Sequence, residues 1–595
     1  MREYSTPQTA EVPSAGSLVD DIVVNGTEHP ETVSFSRRVG TAWQDVTAGE
    51  FLAEVREVTA GLVAAGIEPG DRVALLSKTR YEWTLLDYAI WSAGAVTVPV
   101  YETSSADQIG WILSDSGAKA LVVESSEHLA RLQEVRARLE ELTNVWSIDD
   151  NGVETLRSLG AGVGDDELDA RRDGLTPASV ATLIYTSGTT GRPKGCVLTH
   201  GNFMVELGAA VDDLHELFET EGASTLLFLP LAHVFARVIQ VGAVRARVRL
   251  GHSADIKNLV ADLGEFQPTF LLAVPRVFEK VFNTASQKAA VDGKGAIFDR
   301  AADTAIAYSR ALDRGRPSPL LRAKHALFDR LVYGRLRSAL GGRCQYAVSG
   351  GAPLGERLGH FYRGVGVTVL EGYGLTETTA AVTVNLPEAT KIGTVGRPLA
   401  GTTIRVAADG ELLVRGAQVF GGYWGNEQAS TEALEDGWFR TGDLGDIDDE
   451  GFIRITGRKK EILVTAGGKN VAPAVLEDRV RAHPLVSQCM VVGDGQPFIA
   501  ALVTIDAEAF EAWADHRSKS RDVAGNVDDP DLVAEVQAAV DRANKAVSQA
   551  ESIRRFTILP ADWTEEGGQL TPSLKVKRNV VMREFRGDVA GLYGS

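Results

Sequence analysis

Short apolar runs recur along this chain at intervals that a helix would fill. Residues 73–76 (Val-Ala-Leu-Leu) precede an apolar-rich stretch over 83–98, which reads as strand, helix, strand. Comparable β-rich runs return at 121–124, 181–185, 226–229, 269–274 and 367–371. Strands alternating with helices predict an α/β protein with layers around largely parallel sheets. Near residue 457 the texture changes. Gly-Trp-Phe-Arg-Thr-Gly-Asp over 437–443 and Asp-Glu-Gly at 449–451 predict short strands and a hairpin. Beyond them, 472–481 has helical spacing, while 486–492 and 500–505 read as strands. The expected organisation is a large N-terminal domain of layered α/β sheets over 1–457 and a small α+β domain over 458–595.

Two stretches modify that outline. Residues 160–166, Gly-Ala-Gly-Val-Gly-Asp-Asp, contain a G-x-G, but they lie in a polar, acidic connector that no strand enters. A dinucleotide fingerprint needs that strand, so none is assigned. Over 276–342, Val277, Phe278, Val281 and Phe282 have helical spacing, as do Leu327, Phe328, Leu331 and Val332. Arg276, Lys280, Lys324, Arg330, Arg335 and Arg337 accompany them. Such a region suits anionic lipid or the phosphates of a bulky cofactor; ordinary amphipathic helices with solvated faces are the commoner case.

At 595 residues the chain exceeds one ordinary core, and its 44% hydrophobic and 24% charged content are those of a globular protein. A net charge of −19 argues against nucleic acid as a partner. Cys196, Cys344 and Cys489 are odd in number and far apart, which suggests neither a disulfide framework nor a zinc site and fits a reducing cytoplasm. The first 21 residues lack an apolar core of a secretory signal, and the run over 88–101 is too short for a bilayer. A cytoplasmic protein is expected, with membrane contact limited to a peripheral one at the inner face; the oligomeric state is left open.

The densest chemistry lies at 185–195, Tyr-Thr-Ser-Gly-Thr-Thr-Gly-Arg-Pro-Lys-Gly, directly after the apolar run 180–184. Glycines free the backbone to present N–H groups, and hydroxyls and an ammonium add donors around an anion. Thr186, Ser187, Gly188, Thr189, Thr190, Gly191 and Lys194 thus form a candidate phosphate clamp. It is not the P-loop, in which lysine follows the last glycine. A second polar loop, Glu371-Gly-Tyr-Gly-Leu-Thr-Glu377, leaves the apolar run 367–370, and Ser-Gly-Gly-Ala-Pro spans 349–353. Further on stand Asp443 in Trp-Phe-Arg-Thr-Gly-Asp, Arg458 in Thr-Gly-Arg-Lys-Lys, and Lys575 in Leu-Thr-Pro-Ser-Leu-Lys-Val-Lys-Arg.

Taken together and in this order, these segments resemble the adenylate-forming enzymes: acyl-CoA synthetases, luciferases and peptide-synthetase adenylation domains. The resemblance runs from about Asp71 to Arg578. It implies that the 185–195 loop closes over the triphosphate of ATP and that Lys194 meets its outer phosphates. It implies that Tyr373 stacks on adenine within Glu371, Gly372 and Gly374, that Thr376 donates to the α-phosphate, and that Glu377, with Thr186, holds Mg²⁺. Gly350, Gly351 and Ala352 would line the adenine and acyl pocket. Asp443 and Arg458 would hold the ribose hydroxyls, since a carboxylate can accept a vicinal diol with both oxygens. Lys460 falls at the hinge of the mobile C-terminal domain, and Lys575 at the lysine that offsets charge during adenylation. Leu574 stands where the family usually has glycine, and Lys577 and Arg578 offer a competing registration.

Leu-Pro-Leu-Ala-His-Val-Phe-Ala-Arg over 229–237 resembles the segment that shapes the acyl pocket. His233 either meets the reacting carboxylate or is a buried, hydrogen-bonded histidine. Leu231, Ala232, Val234 and Phe235 include no acid to hold an amino group, so an uncharged tail fits better than an amino acid. Residues 274–280 and the helical insertion after them look most like long-chain fatty-acid–CoA ligases of actinobacterial type. The implied reaction takes a fatty acid, ATP and CoA to acyl-CoA through acyl-AMP. An acyl-AMP ligase serving a carrier protein is the alternative. A non-catalytic binding protein is disfavoured, because Lys194, Glu377, Asp443 and Lys575 are all present.

Overall fold

The computed structural model describes residues 1–9, 12–186, 192–255, 258–571 and 575–594. A six-stranded sheet runs in the order Asn144–Ser147, Ala118–Val123, Arg72–Leu76, Val96–Val100, Val180–Thr186 and Lys194–Thr199. Its first five strands are parallel, and the four from Ala118–Val123 to Val180–Thr186 are buried on both faces over most of their length, which explains their largely apolar character. The last pairs antiparallel and sets Thr186 opposite Lys194. A five-stranded sheet begins with Phe270–Ala273, Tyr346–Ser349 and Thr368–Leu375 in parallel, then turns back through Ala380–Val384 and Arg397–Pro398. Both sheets end their parallel strands toward the same cavity, where open α/β sheets place their ligands.

The hairpin expected near 437–451 is present and stands within a wholly antiparallel sheet. Glu3–Ser5, Thr403–Val406, Glu411–Arg415, Leu434–Glu435, Trp438–Ile447 and Ile453–Arg458 form a sheet whose pairings are all antiparallel. Strands joined by tight turns need no crossover helix. The turn at 449–451 is one of them, with Gly451 at φ +86° beneath the Tyr4 ring.

Helix Pro275–Val291 buries Phe278, Val281 and Phe282, as their spacing predicts. Helix Pro319–Phe328 does not follow suit: none of its residues is buried, and Leu327 and Leu331 are exposed. Only Phe328 and Val332 lean on the core. Residues 160–162 form a 3₁₀ turn behind helix Gly152–Leu159, so no strand enters the G-x-G.

The C-terminal sheet comprises Val486–Val492, Ile499–Ile505 and Ile553–Ile558. Helices Pro473–Arg481 and Pro530–Asn544 cover it on one side and Arg586–Tyr593 on the other. Among the described residues, no buried apolar cluster mixes the two ends of the chain: those containing Leu18 and Ala74 reach no further than Ile453, and the others start at Val471 and Met490. No described helix is long and apolar enough to cross a membrane.

Candidate active site

The turn over 371–380 shows why this stretch needs its glycines. The ladder shifts register between Tyr373 and Gly374, and a Cβ on Gly374 would lie 1.5 Å from the Ala380 carbonyl oxygen. Thr379 and Ala380 take φ of 56° and 94°, left-handed values that side chains adopt only under constraint. Folding back so tightly, the turn brings Tyr373, Thr376 and Glu377 onto one wall of a cavity of about 2430 Å³. Glu371, at the strand's inner end, accepts from the Leu354 N–H at 3.0 Å and so ties down the loop holding Gly350, Gly351 and Ala352. Burial pushes its carboxyl up to about 7.

Opposite stands Asp443, 3% exposed. The Tyr373 hydroxyl donates to Oδ2 at 2.6 Å, and Arg458 Nε forms an ion pair with Oδ1 at 2.9 Å across the Asp443–Arg458 strand pair. Each oxygen keeps a lone pair for a further donor. Burial, with Asp443 second, pushes the Tyr373 phenol well up, so it stays a donor.

Thr186 and Lys194 face the same cavity across their strand pair, whereas Ser187, Gly188, Thr189, Thr190 and Gly191 lie outside the described residues. Lys194 Nζ sits 5.1 Å from the centre of the Tyr423 ring, whose hydroxyl donates to Glu377 Oε1 at 2.8 Å. Val197 and Trp424 N–H groups bond the Gly422 and Gly195 carbonyls and fasten the hairpin to this segment. Tyr423 therefore links lysine to glutamate, and sequence reasoning missed it. Its only signal would have been an aromatic pair, Tyr423 and Trp424, in a glycine-rich turn.

His233 caps helix Val234–Arg245, its Nδ1 accepting from the Phe235 N–H at 3.2 Å. Desolvation first, then the Lys575 ammonium, hold its pKa down to about 4. The ring is neutral at pH 7, and with Nδ1 accepting, the proton belongs on Nε2. One turn along, Arg237 is fully buried. It grips Asp87 at 2.6 and 2.8 Å and Thr182 at 2.6 Å, flanked by Trp83 and Trp91. Through Thr182 it ties the helix to the six-stranded sheet, and through Asp87 to helix Tyr81–Ser92, and so fixes His233. Nothing in the sequence distinguished Arg237 and Asp87 from surface charges.

Lys575 lines the cavity from the C-terminal side, as Lys460 does from the 3₁₀ turn Lys459–Glu461. Thr571 and Lys575 bond each other twice through backbone and hydroxyl, closing the loop. The Lys575 side chain remains solvent-accessible in the wide cleft, yet desolvation by its walls and then Arg458 keep its ammonium below its usual value. All the described candidate residues thus line one cavity. One end is polar; the other runs between helices His200–Asp213 and Val234–Arg245 and is walled by Leu207, Val211, Val238, Ile239, Phe270 and Leu272. Pockets for a single small ligand are about 300–1,000 Å³, so there is room for more than a nucleotide. No described group of three His, Cys, Asp or Glu could cage a metal. The Glu377 carboxylate and Thr186 hydroxyl fit instead a hard cation shared with phosphate oxygens and water.

The chain belongs to the AMP-binding enzyme family: residues 23–424 match the AMP-binding enzyme family and residues 460–595 the AMP-binding enzyme C-terminal domain. Among curated relatives, it is 54% identical to the long-chain-fatty-acid–CoA ligase FadD15 of Mycobacterium bovis, over 100% of both chains. Among solved structures, the Mycobacterium tuberculosis fatty acyl CoA synthetase superposes with TM-score 0.63 at 23% identity, over 96% of this chain and 99% of that one. The adenylation domain of a Mycobacterium chelonae carboxylate reductase gives 0.74 at 21%, over 97% and 91%. At such identities the structural likeness speaks for the fold alone.

Proposed function

We propose that this chain is an AMP-forming ligase that joins a long-chain fatty acid to the thiol of CoA. The observation that carries the reading is the single cavity, polar at the Asp443–Tyr373–Lys194 end and apolar beyond His233. The 54% identity over the full length of a long-chain-fatty-acid–CoA ligase supports the same substrates.

In the first step a carboxylate oxygen attacks the α-phosphorus of ATP, the bond to the bridging oxygen breaks, and pyrophosphate leaves. In the second, the CoA sulfur attacks the acyl carbonyl and AMP leaves. Both bonds form between substrates, so the protein needs no nucleophile. It must hold two anions together and offset the charge that develops. Lys575 supplies an ammonium between carboxylate and α-phosphate, Thr376 a hydroxyl, and neutral His233 an Nε2–H toward the carboxylate. Asp443 and Arg458 orient the ribose, and Tyr373 stacks on adenine. Lys194 and the hydroxyl-rich loop receive the outer phosphates. Glu377 and Thr186 would hold Mg²⁺, which when bound neutralises phosphate oxygens.

The separated cores support a division into domains over 1–457 and 458–595, with Lys460 at the hinge. The protein works in the cytoplasm, touching the inner membrane face peripherally. The test is AMP release from ATP with hexadecanoate, with and without CoA. Release should require CoA and exceed that with acetate. CoA-independent release would point to a carrier-protein acceptor, and maximal rates on acetate would overturn the long-chain reading.

A further inference from the structure

Helix His200–Asp213 starts cleanly, with the Thr199 hydroxyl and the Asn202 side chain exchanging a capping box. Its next turns carry Leu207 and Val211 into the apolar end of the cavity, as expected of a wall that meets hydrocarbon. Glu206 breaks that pattern. It lines the same cavity, is 1% exposed, and has no cation beside it. Its Oε1 accepts from the Ala381 N–H at 3.1 Å; its Oε2 has no hydrogen-bond partner among the described residues. Desolvation first, with the Asp213 charge adding to it, holds the carboxyl well above its usual range.

A carboxyl oxygen is thus buried in the apolar wall of the cavity with no partner among the described residues. Leaving such a group unpaired is costly, and native proteins rarely do so without cause. A saturated acyl chain cannot satisfy it, and a leucine in its place would suit that chain better. A hydroxyl on the chain can donate to Oε2, or accept from it where Oε2 carries the proton.

We infer that Glu206 is a specificity-determining residue that hydrogen-bonds a hydroxyl carried along the acyl chain, so that the apolar end of the cavity is built for a hydroxylated long-chain acid. The inference rests on the proposed acid-activating function.

The test compares kcat/KM for octadecanoate with that for its positional series of monohydroxy isomers, read as CoA-dependent AMP release by the full chain. One isomer should exceed octadecanoate by about tenfold, the effect of one net hydrogen bond with the penalty of the unpaired carboxyl oxygen relieved. Glu206→Leu should lower that ratio about tenfold, improving octadecanoate while weakening the isomer. Glu206→Gln, which keeps a donor and an acceptor, should retain the preference. Should Glu206→Leu fail to fold, the isomer profiles of the unaltered chain and of Glu206→Gln decide the matter. A flat isomer profile with turnover of octadecanoate, or a ratio unmoved by Glu206→Leu, overturns this inference alone. No turnover with any acid overturns the functional reading along with it.

Discussion

Glu371 carries a cost set by where the turn places it. Burial holds its folded pKa at about 7, against 4.5 for a free glutamate, so the folded chain binds this proton more tightly than the unfolded one. The stability it contributes is therefore full below pH 4.5 and is lost as pH rises through 7. Above pH 7 the ionised, buried carboxylate costs about 3 kcal/mol relative to its protonated form. Glu371→Gln keeps an acceptor for the Leu354 N–H and removes the charge. Urea melts at pH 8 should show the variant more stable by about 1–3 kcal/mol, with the difference shrinking toward pH 5. A difference of equal size at both pH values would show that packing, not ionisation, sets it.

At the scale of elements, the hairpin carrying Lys194 and the turn carrying Tyr373 were legible because their chemistry is local. Thr186 and Lys194 pair across one hairpin, and Tyr373 and Gly374 share one turn with Leu375. The partners of those groups were not legible. Tyr423 reaches Glu377 across 46 positions, and Arg237 reaches Asp87 across 150, because strands and helices distant in the chain pack together. A lone charge in a sequence looks the same whether it ends in solvent or under two tryptophans. Helix Pro319–Phe328 and the turn after it keep the predicted helical spacing, with Phe328 and Val332 on the core and three leucines turned outward. Leu320, Leu327 and Leu331 are 68%, 56% and 52% exposed, with Arg322, Lys324 and Arg330 among them. Apolar side chains flanked by cations suit a membrane interface with anionic headgroups. Replacing the three leucines by serine should reduce cosedimentation with anionic vesicles about tenfold or more while sparing turnover of a micellar substrate. Equal binding by both proteins would remove this helix from any membrane role.

For the whole molecule the decisive fact is that two separately cored units meet over the cavity through few polar contacts. Arg276 reaches Asp506 at 3.3 Å, Lys280 reaches Glu508 at 3.9 Å, and Thr103 bonds Glu565. Exposed pairs of this type contribute about 0–1 kcal/mol each, so the units are held in register without being locked. The C-terminal unit supplies Lys575, and the N-terminal unit supplies His233, Asp443 and Tyr373. On the proposed mechanism this arrangement, with the lysine at the cavity, serves the attack of carboxylate on ATP, and the unit would swing about Lys460 for the thiol step. On that division Lys575 matters to one half-reaction only. Lys575→Ala should lower pyrophosphate exchange by about 10²–10³-fold, the usual loss of one preorganised charge contact, while conversion of supplied acyl-AMP and CoA stays within about threefold. Lys460→Pro, which stiffens the turn, should invert the pattern, sparing exchange and slowing thioester formation. If Lys575→Ala slowed both steps equally, the lysine would be holding the two units together, and the site would have no separate arrangement for the thiol.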